Sequence, residues 1–120
     1  VKARRRRRMR ELAKRRVLAE TRKADVVLVN PTHYAVALRY RAGDGGAPRV
    51  VAKGADELAA RIREAGRAAG VPVVSRPPLA RALWKLVPEG QEIPSQLYHA
   101  VAEVLAYIYR LRERRVGVPS

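Results

Sequence analysis

Asn30-Pro31-Thr32-His33 is the place in this 120-residue chain where residue types and spacing spell out a chemistry. Asparagine ordinarily degrades when the backbone nitrogen of the next residue attacks its side-chain amide carbon. Proline has no N–H, so that route is closed at Asn30. The opposite route stays open: the Asn30 side-chain nitrogen attacks the main-chain carbonyl carbon of Asn30 itself. A five-membered succinimide closes, the Pro31 nitrogen leaves, and the chain is cut between Asn30 and Pro31. A carboxamide is a poor nucleophile, so a flexible peptide does this negligibly. A fold that holds nitrogen and carbonyl carbon at near-attack distance can contribute up to about 7–11 kcal/mol. The residue before proline is biased to extended geometry, and Asn then Pro suits the first two positions of a tight turn. Strain in such a turn is relieved by the cut. Thr32 and His33 complete the turn. For His33 three roles are open: orienting the Asn30 amide, assisting proton transfer to the departing nitrogen, or only hydrogen-bonding the turn. Asn-Pro alone would be an ordinary turn. The four-residue string is less ordinary, with a chance occurrence on the order of one in a thousand at about 5% per residue.

The rest of the composition narrows the field. The chain has no cysteine, which excludes a disulfide framework, a thiolate zinc site and a cysteine nucleophile. Its only histidines are His33 and His99, too few for a histidine-rich metal centre. No metal or cofactor is expected. Apolar residues make up 48% of the sequence, enough for a small core, and no apolar run approaches the roughly 20 residues of a membrane-spanning helix. The 26 Lys and Arg against 11 Asp and Glu give a net charge of +15, and residues 1–24 carry +10 of it. Arg4, Arg5, Arg6, Arg7 and Arg8 form an unbroken run there. The chain opens on Val1 rather than Met, which leads us to expect a piece of something longer. The arginine run then has two readings, a nucleic-acid-binding arm or the cytoplasmic flank of a transmembrane helix outside this sequence.

The elements that must position Asn30 are legible from periodicity. Met9, Leu12, Ala13, Val17 and Leu18 give residues 1–24 a thin apolar stripe, which predicts a long, solvated helix with little to hold it rigid. Val26 to Val29 is a β-branched run of the buried-strand type. Tyr34 to Arg41 alternates, with Tyr34, Val36, Leu38 and Tyr40 on one face. Ala35 and Ala37 lie on the other face, which a helix is expected to cover in part. Residues 42–48 read as a loop and Arg49 to Lys53 as a third strand. Ala55, Leu58, Ala59, Ile62, Ala65 and Ala69 recur at helical spacing, and Gly70 is placed to stop that helix. Residues 71–75 read as a fourth strand. Pro77-Pro78 opens a short helix carrying Leu79, Leu83 and Leu86. Ser95 is a candidate cap for a last helix running to about Arg112. This order predicts one small α/β domain over residues 25–112, a mixed four-stranded sheet packed by helices, with a basic helical linker before it and a tail at 113–120. The last helix carries two apolar stripes. One comprises Leu97, Val101, Val104, Ile108 and Leu111; the other comprises Tyr98, Ala102, Leu105 and Tyr109. The second is either a broad core contact or a patch that receives another protein.

With these elements around it, the NPTH string resembles the self-cutting motif of the FlhB/YscU family, integral-membrane components of type III export machines. The similarity runs from about Arg10 to Arg112. It favours the flagellar branch over the virulence-injectisome branch, through NPTHYAVALRY at Asn30 to Tyr40, APRVVAKGAD at Ala47 to Asp56, PPLARALW at Pro77 to Trp84 and IPSQLYHAVAEVLA at Ile93 to Ala106. Trp84 departs from the Tyr common in flagellar members, a change expected to affect packing more than cleavage. The resemblance implies the C-terminal cytoplasmic domain of an inner-membrane protein, with Arg4 to Arg8 facing the inner leaflet. It implies self-cleavage between Asn30 and Pro31 that permits a switch in export class, from rod and hook subunits to filament subunits. The implied partners are the large export-gate membrane protein, the hook-length control protein and rod and hook substrates. It also implies an apolar docking patch at Ala47, Pro48, Ala102 and Leu105.

Such a chain acts once on its own backbone and is not a turnover enzyme. The competing class is a basic nucleic-acid-binding module, against which the arm lacks interleaved aromatics and a recognised RNA-binding signature; no nucleic-acid partner is expected. A hydrolase acting on other molecules needs a nucleophile–base pair and has weak support, with no cysteine in the chain, and His99 reads as a packing or surface residue. A salt titration against DNA or RNA separates the first two classes: binding through the arm alone falls steeply with ionic strength.

Overall fold

A computed structural model describes residues 1–41 and 46–115 of the chain. Residues 42–45 of the expected loop and 116–120 of the expected tail lie outside the described residues. In chain order the elements are α1 (Lys2–Arg22), β1 (Val26–Asn30), β2 (Tyr34–Arg39), β3 (Arg49–Ala55), α2 (Asp56–Ala68), β4 (Val73–Ser75), α3 (Pro77–Leu86) and α4 (Tyr98–Arg115). The sheet order is β3-β2-β1-β4. β2 is antiparallel to both β1 and β3, and β4 lies parallel to β1, so the sheet is mixed as expected.

β1 is the axis of the fold. Its sequence Val-Val-Leu-Val suits a strand covered on both faces, and Val26, Val27 and Leu28 are fully buried. Val26 and Leu28 face a layer of α3 and α4, together with Val36 and Leu38 of β2, Leu83 and Val101. Val27 and Val29 face α1 and α2, together with Ala35, Ala37, Ala59 and Ile62. The small alanine face of β2 is therefore covered by helix, as its alternation predicted. The result is a three-layer α/β/α arrangement.

Both glycines that matter here serve helix α2. Gly70, at φ +78, turns the chain out of the helix, and the Val71 N–H donates back to the Gly66 carbonyl at 2.8 Å. Gly54 lets α2 approach β3: a Cβ there would lie 2.6 Å from Leu58 Cγ and 2.8 Å from Ile62 Cδ1.

Several expectations need correction. The first half of α1 is free, with Met9 and Leu12 exposed, but Val17, Leu18 and Thr21 are buried against α2 and β3. The helix is thus anchored at its C-terminal end, because only its last apolar residues reach the sheet layer. Leu86 is exposed, since α3 turns Ala80 and Leu83 inward. Ser95 opens a 3-10 turn, Ser95–Leu97, that leads into α4, so it does not immediately precede the helix. The fourth strand is shorter than 71–75, Val71 being used to close the end of α2 instead. Leu111 is more exposed than its stripe implied, because α4 outruns the sheet. Among the described residues no helix is long and apolar enough to cross a membrane.

Gly54→Ala should lower the free energy of unfolding by about 1–3 kcal/mol, since the added methyl must displace Leu58 and Ile62 from a packed layer. Urea unfolding followed by circular dichroism reads this directly.

Candidate functional site

Asn30 is the last residue of β1, half-buried, and pairs across the hairpin with Tyr34 of β2. Between them Pro31, Thr32 and His33 are exposed. The His33 N–H donates to the Asn30 carbonyl oxygen at 2.9 Å. Proline at the second position, a positive φ of +68 at Thr32 and this closing bond make a type II β-turn. Type II turns prefer glycine at that third position. A β-branched threonine held left-handed there costs of order 1–3 kcal/mol, which the rest of the fold must offset.

The turn is clamped on both sides of the Asn30–Pro31 bond. Upstream, the Val29 carbonyl accepts the Arg76 N–H at 3.0 Å, where the chain passes from β4 into α3. Downstream, the His33 carbonyl accepts the Asp56 N–H at 2.9 Å, at the corner from β3 into α2. Asp56 is itself left-handed, at φ +51. Four elements thus fix a five-residue segment whose middle faces solvent. That geometry brings Asn30, Pro31, Thr32 and His33 together as their sequence proximity required.

Behind the turn lies a stack that sequence reasoning missed. The Tyr34 ring lies 5.0 Å from the Trp84 ring at an interplanar angle of 22°. Lys53 Nζ sits 5.0 Å from the Trp84 ring centroid and donates to the carbonyls of Trp84 at 3.0 Å and Val87 at 3.1 Å. Those are carbonyls left unpaired by the end of α3, so the ammonium closes that helix. A β-bulge puts Lys53 there. Ala37 pairs with Ala52 but Leu38 with Val50, leaving Val51 as the extra residue. Val50 therefore faces the α3/α4 layer while Ala52 faces the α2 layer, and Lys53 returns to the α3 side. Trp84 thus packs directly on the residue that follows His33.

The expected docking residues are also brought together, away from the turn. Ala47, Pro48, Ala102 and Leu105 line one groove of about 530 Å³ with Tyr40, Tyr98 and Tyr109. Leu105 is only 7% exposed and belongs to the core, so its contribution to an open surface is small. Ala102, Tyr98 and Tyr109 are exposed. Tyr40 follows the end of β2 opposite Tyr34, which puts the groove roughly 20 Å from the turn. Arg4, Arg5, Arg6, Arg7 and Arg8 lie exposed on the free half of α1. His99 is on the surface of α4, its Nε2 3.0 Å from Glu103 Oε1. Among the described residues no group of three His, Cys, Asp or Glu is placed to hold a metal.

Thr32→Gly should relieve the left-handed penalty at that position and raise the unfolding free energy by about 1 kcal/mol in an Asn30→Ala background. Thermal melts of the two uncut chains compare them directly.

Comparison with known proteins agrees with this architecture. The model of the FlhB HrpN YscU SpaS family matches residues 1–108. The chain is 53% identical over 112 residues to the flagellar biosynthetic protein FlhB of Yersinia enterocolitica, covering 93% of this chain and 29% of that protein. It is 53% identical over 117 residues to FlhB of Escherichia coli K12, covering 98% of this chain and 31% of that one. It therefore spans about a third of the length of these relatives. The crystal structure of the cytoplasmic domain of FlhB from Shewanella putrefaciens superposes with a TM-score of 0.83 at 47% identity, over 88% of this chain and 81% of that one. On the family match and these identities, the chain belongs to the FlhB HrpN YscU SpaS family.

Proposed function

We propose that this chain is the cytoplasmic domain of a flagellar type III export component and that it cuts itself between Asn30 and Pro31. The observation that carries the reading is the turn itself: an Asn-Pro bond with a strained, left-handed Thr32 beside it, pinned by hydrogen bonds from two separate corners of the fold. In the reaction Asn30 Nδ2 bonds to the Asn30 carbonyl carbon and the bond from that carbon to the Pro31 nitrogen breaks. A proton lost by the amide ends on the Pro31 nitrogen, and water later opens the succinimide on this exposed turn. His33 orients the amide or relays that proton. Apart from that water no other molecule enters, neither cofactor nor metal, and the domain turns over once.

The sheet topology supports a cut that leaves the domain assembled. The N-terminal piece would contain α1 and β1, and β1 lies between β2 and β4 of the other piece. Its buried residues and the anchored end of α1 keep both pieces in one core. The cut would free the ends at Asn30 and Pro31 to move apart, the local change that permits export to pass from rod and hook subunits to filament subunits. In this reading the groove at Ala47, Pro48 and Ala102, with Leu105 at its floor, receives rod and hook substrates. The large export-gate protein and the hook-length control protein are further partners, and Arg4 to Arg8 lie toward the inner leaflet of the cell membrane. The flagellar branch, rather than its injectisome counterpart, is supported by the flagellar relatives at 53% identity.

Denaturing mass spectrometry of the purified chain should give two polypeptides broken after Asn30, which co-elute as one species under native conditions; Asn30→Ala should give one polypeptide. Pro31→Ala should slow the cut without necessarily stopping it, because the restored N–H reopens the competing route. A wild-type chain that stays whole after prolonged folding at neutral pH rejects the proposal.

A further inference from the structure

Among the described residues two non-glycine positions are left-handed, Thr32 and Asp56, and both bear on His33. Thr32 precedes it in the chain, and the Asp56 N–H donates to its carbonyl at 2.9 Å. With the residue held on both sides of its Cα, the His33 N–H points at the Asn30 carbonyl oxygen, also at 2.9 Å. That oxygen belongs to the carbonyl whose carbon the Asn30 amide attacks. As the new bond from Nδ2 forms, the carbonyl π electrons move onto this oxygen. They return when the bond to the Pro31 nitrogen breaks and that nitrogen takes up the proton. A donor already in place when charge develops needs no reorganisation, which is where such donors contribute most. We infer that the main-chain N–H of His33 is the oxyanion donor for cyclisation at Asn30, and that Asp56 is the positioning residue that keeps it aimed.

This inference rests on the self-cleavage reading and assigns the backbone of His33 a role separate from its imidazole. It also accounts for the strain. A left-handed Asp56 is the backbone geometry that sends its N–H to the turn while the chain enters α2, and a left-handed Thr32 is what closes the turn onto the Asn30 oxygen. Both penalties fall on the two peptide planes that meet at His33: Thr32 sets the one carrying its N–H, and Asp56 holds the next one, which carries its carbonyl.

The test replaces single N–H groups by ester oxygens, using cell-free translation of the full chain with the α-hydroxy analogue of histidine at position 33. The same replacement at position 76 removes the Arg76 N–H onto Val29, a bond of the same kind one residue from Asn30 that does not touch the reacting carbonyl. Cutting after a pulse of synthesis is followed by denaturing mass spectrometry, which separates breakage after Asn30 from hydrolysis of the ester itself. The position-33 ester should slow the cut about 10²–10³-fold, and the position-76 ester less than roughly tenfold. Asp56→Gly keeps the N–H and accepts the left-handed backbone, so it should cut within a few-fold of the parent. Asp56→Val disfavours that backbone and should be slowed roughly tenfold or more. Each variant is also melted in an Asn30→Ala background, so that the comparison uses chains that fold. Equal slowing by the two esters, or Asp56→Val cutting at the parental rate while folded, overturns the inference alone. A parent chain that never cuts overturns the self-cleavage reading, and this inference with it.

Discussion

Everything in this domain is arranged about the burial of β1. Four apolar residues in a row leave no solvent-facing side, so the strand needs a helical layer above and below and a strand on each edge. Removing any one of these side chains to alanine size in such a layer typically costs about 2–5 kcal/mol for a leucine and less for a valine. Because β1 cannot shift, the residue at its end cannot either. Asn30 leaves the sheet with its preceding carbonyl already bonded to Arg76 and its own carbonyl bonded to His33. The Asn30–His33 turn is an extension of a strand buried on both faces and paired on both edges.

The same burial would keep the domain assembled through the proposed loss of a backbone bond at this point. A cut at a loop tip normally leaves two ends free and a core intact. Here the smaller piece would contribute the central strand, buried on both faces and hydrogen-bonded on both edges, and an anchored helix end. What the proposed cut would change is confined to the turn and to whatever rests on it, including the Tyr34–Trp84 stack beside it. The apolar groove at Ala47 and Ala102 lies at the other end of β2. A signal from cut to groove would therefore have to travel along a packed strand, whereas a partner that reads the turn directly needs no such route.

Charge is separated from this core in the same economical manner. The arginine run lies on the half of α1 that projects away, while Val17, Leu18 and Thr21 tie the other half down. The like charges of the run are thereby kept from packed surfaces, where their desolvation would be costly, and are left available to an anionic surface.

Much of this could be read from the order of residues alone. The central strand, the alanine face of β2, the Gly70 stop and the four-residue turn are all local: each depends on periodicity or on backbone preferences within a few positions. The Asn30-Pro31 pair was legible for the same reason, since the two residues are adjacent and the chemistry proposed for them is intramolecular. What could not be read is what depends on register and on partners far along the chain. The bulge at Val51 reverses the alternation of β3 and sends Lys53 to the end of α3, an outcome no period-two pattern contains. Leu86 and Leu111 have the composition of core residues and lie outside it, Leu86 because α3 turns Ala80 and Leu83 inward and Leu111 because α4 outruns the sheet. The hydrogen bonds from Arg76 and Asp56 join positions tens of residues from the turn, and main-chain donors carry no side-chain signature to betray them. Local preference names the bond proposed to break; the packing of distant corners places the groups around it.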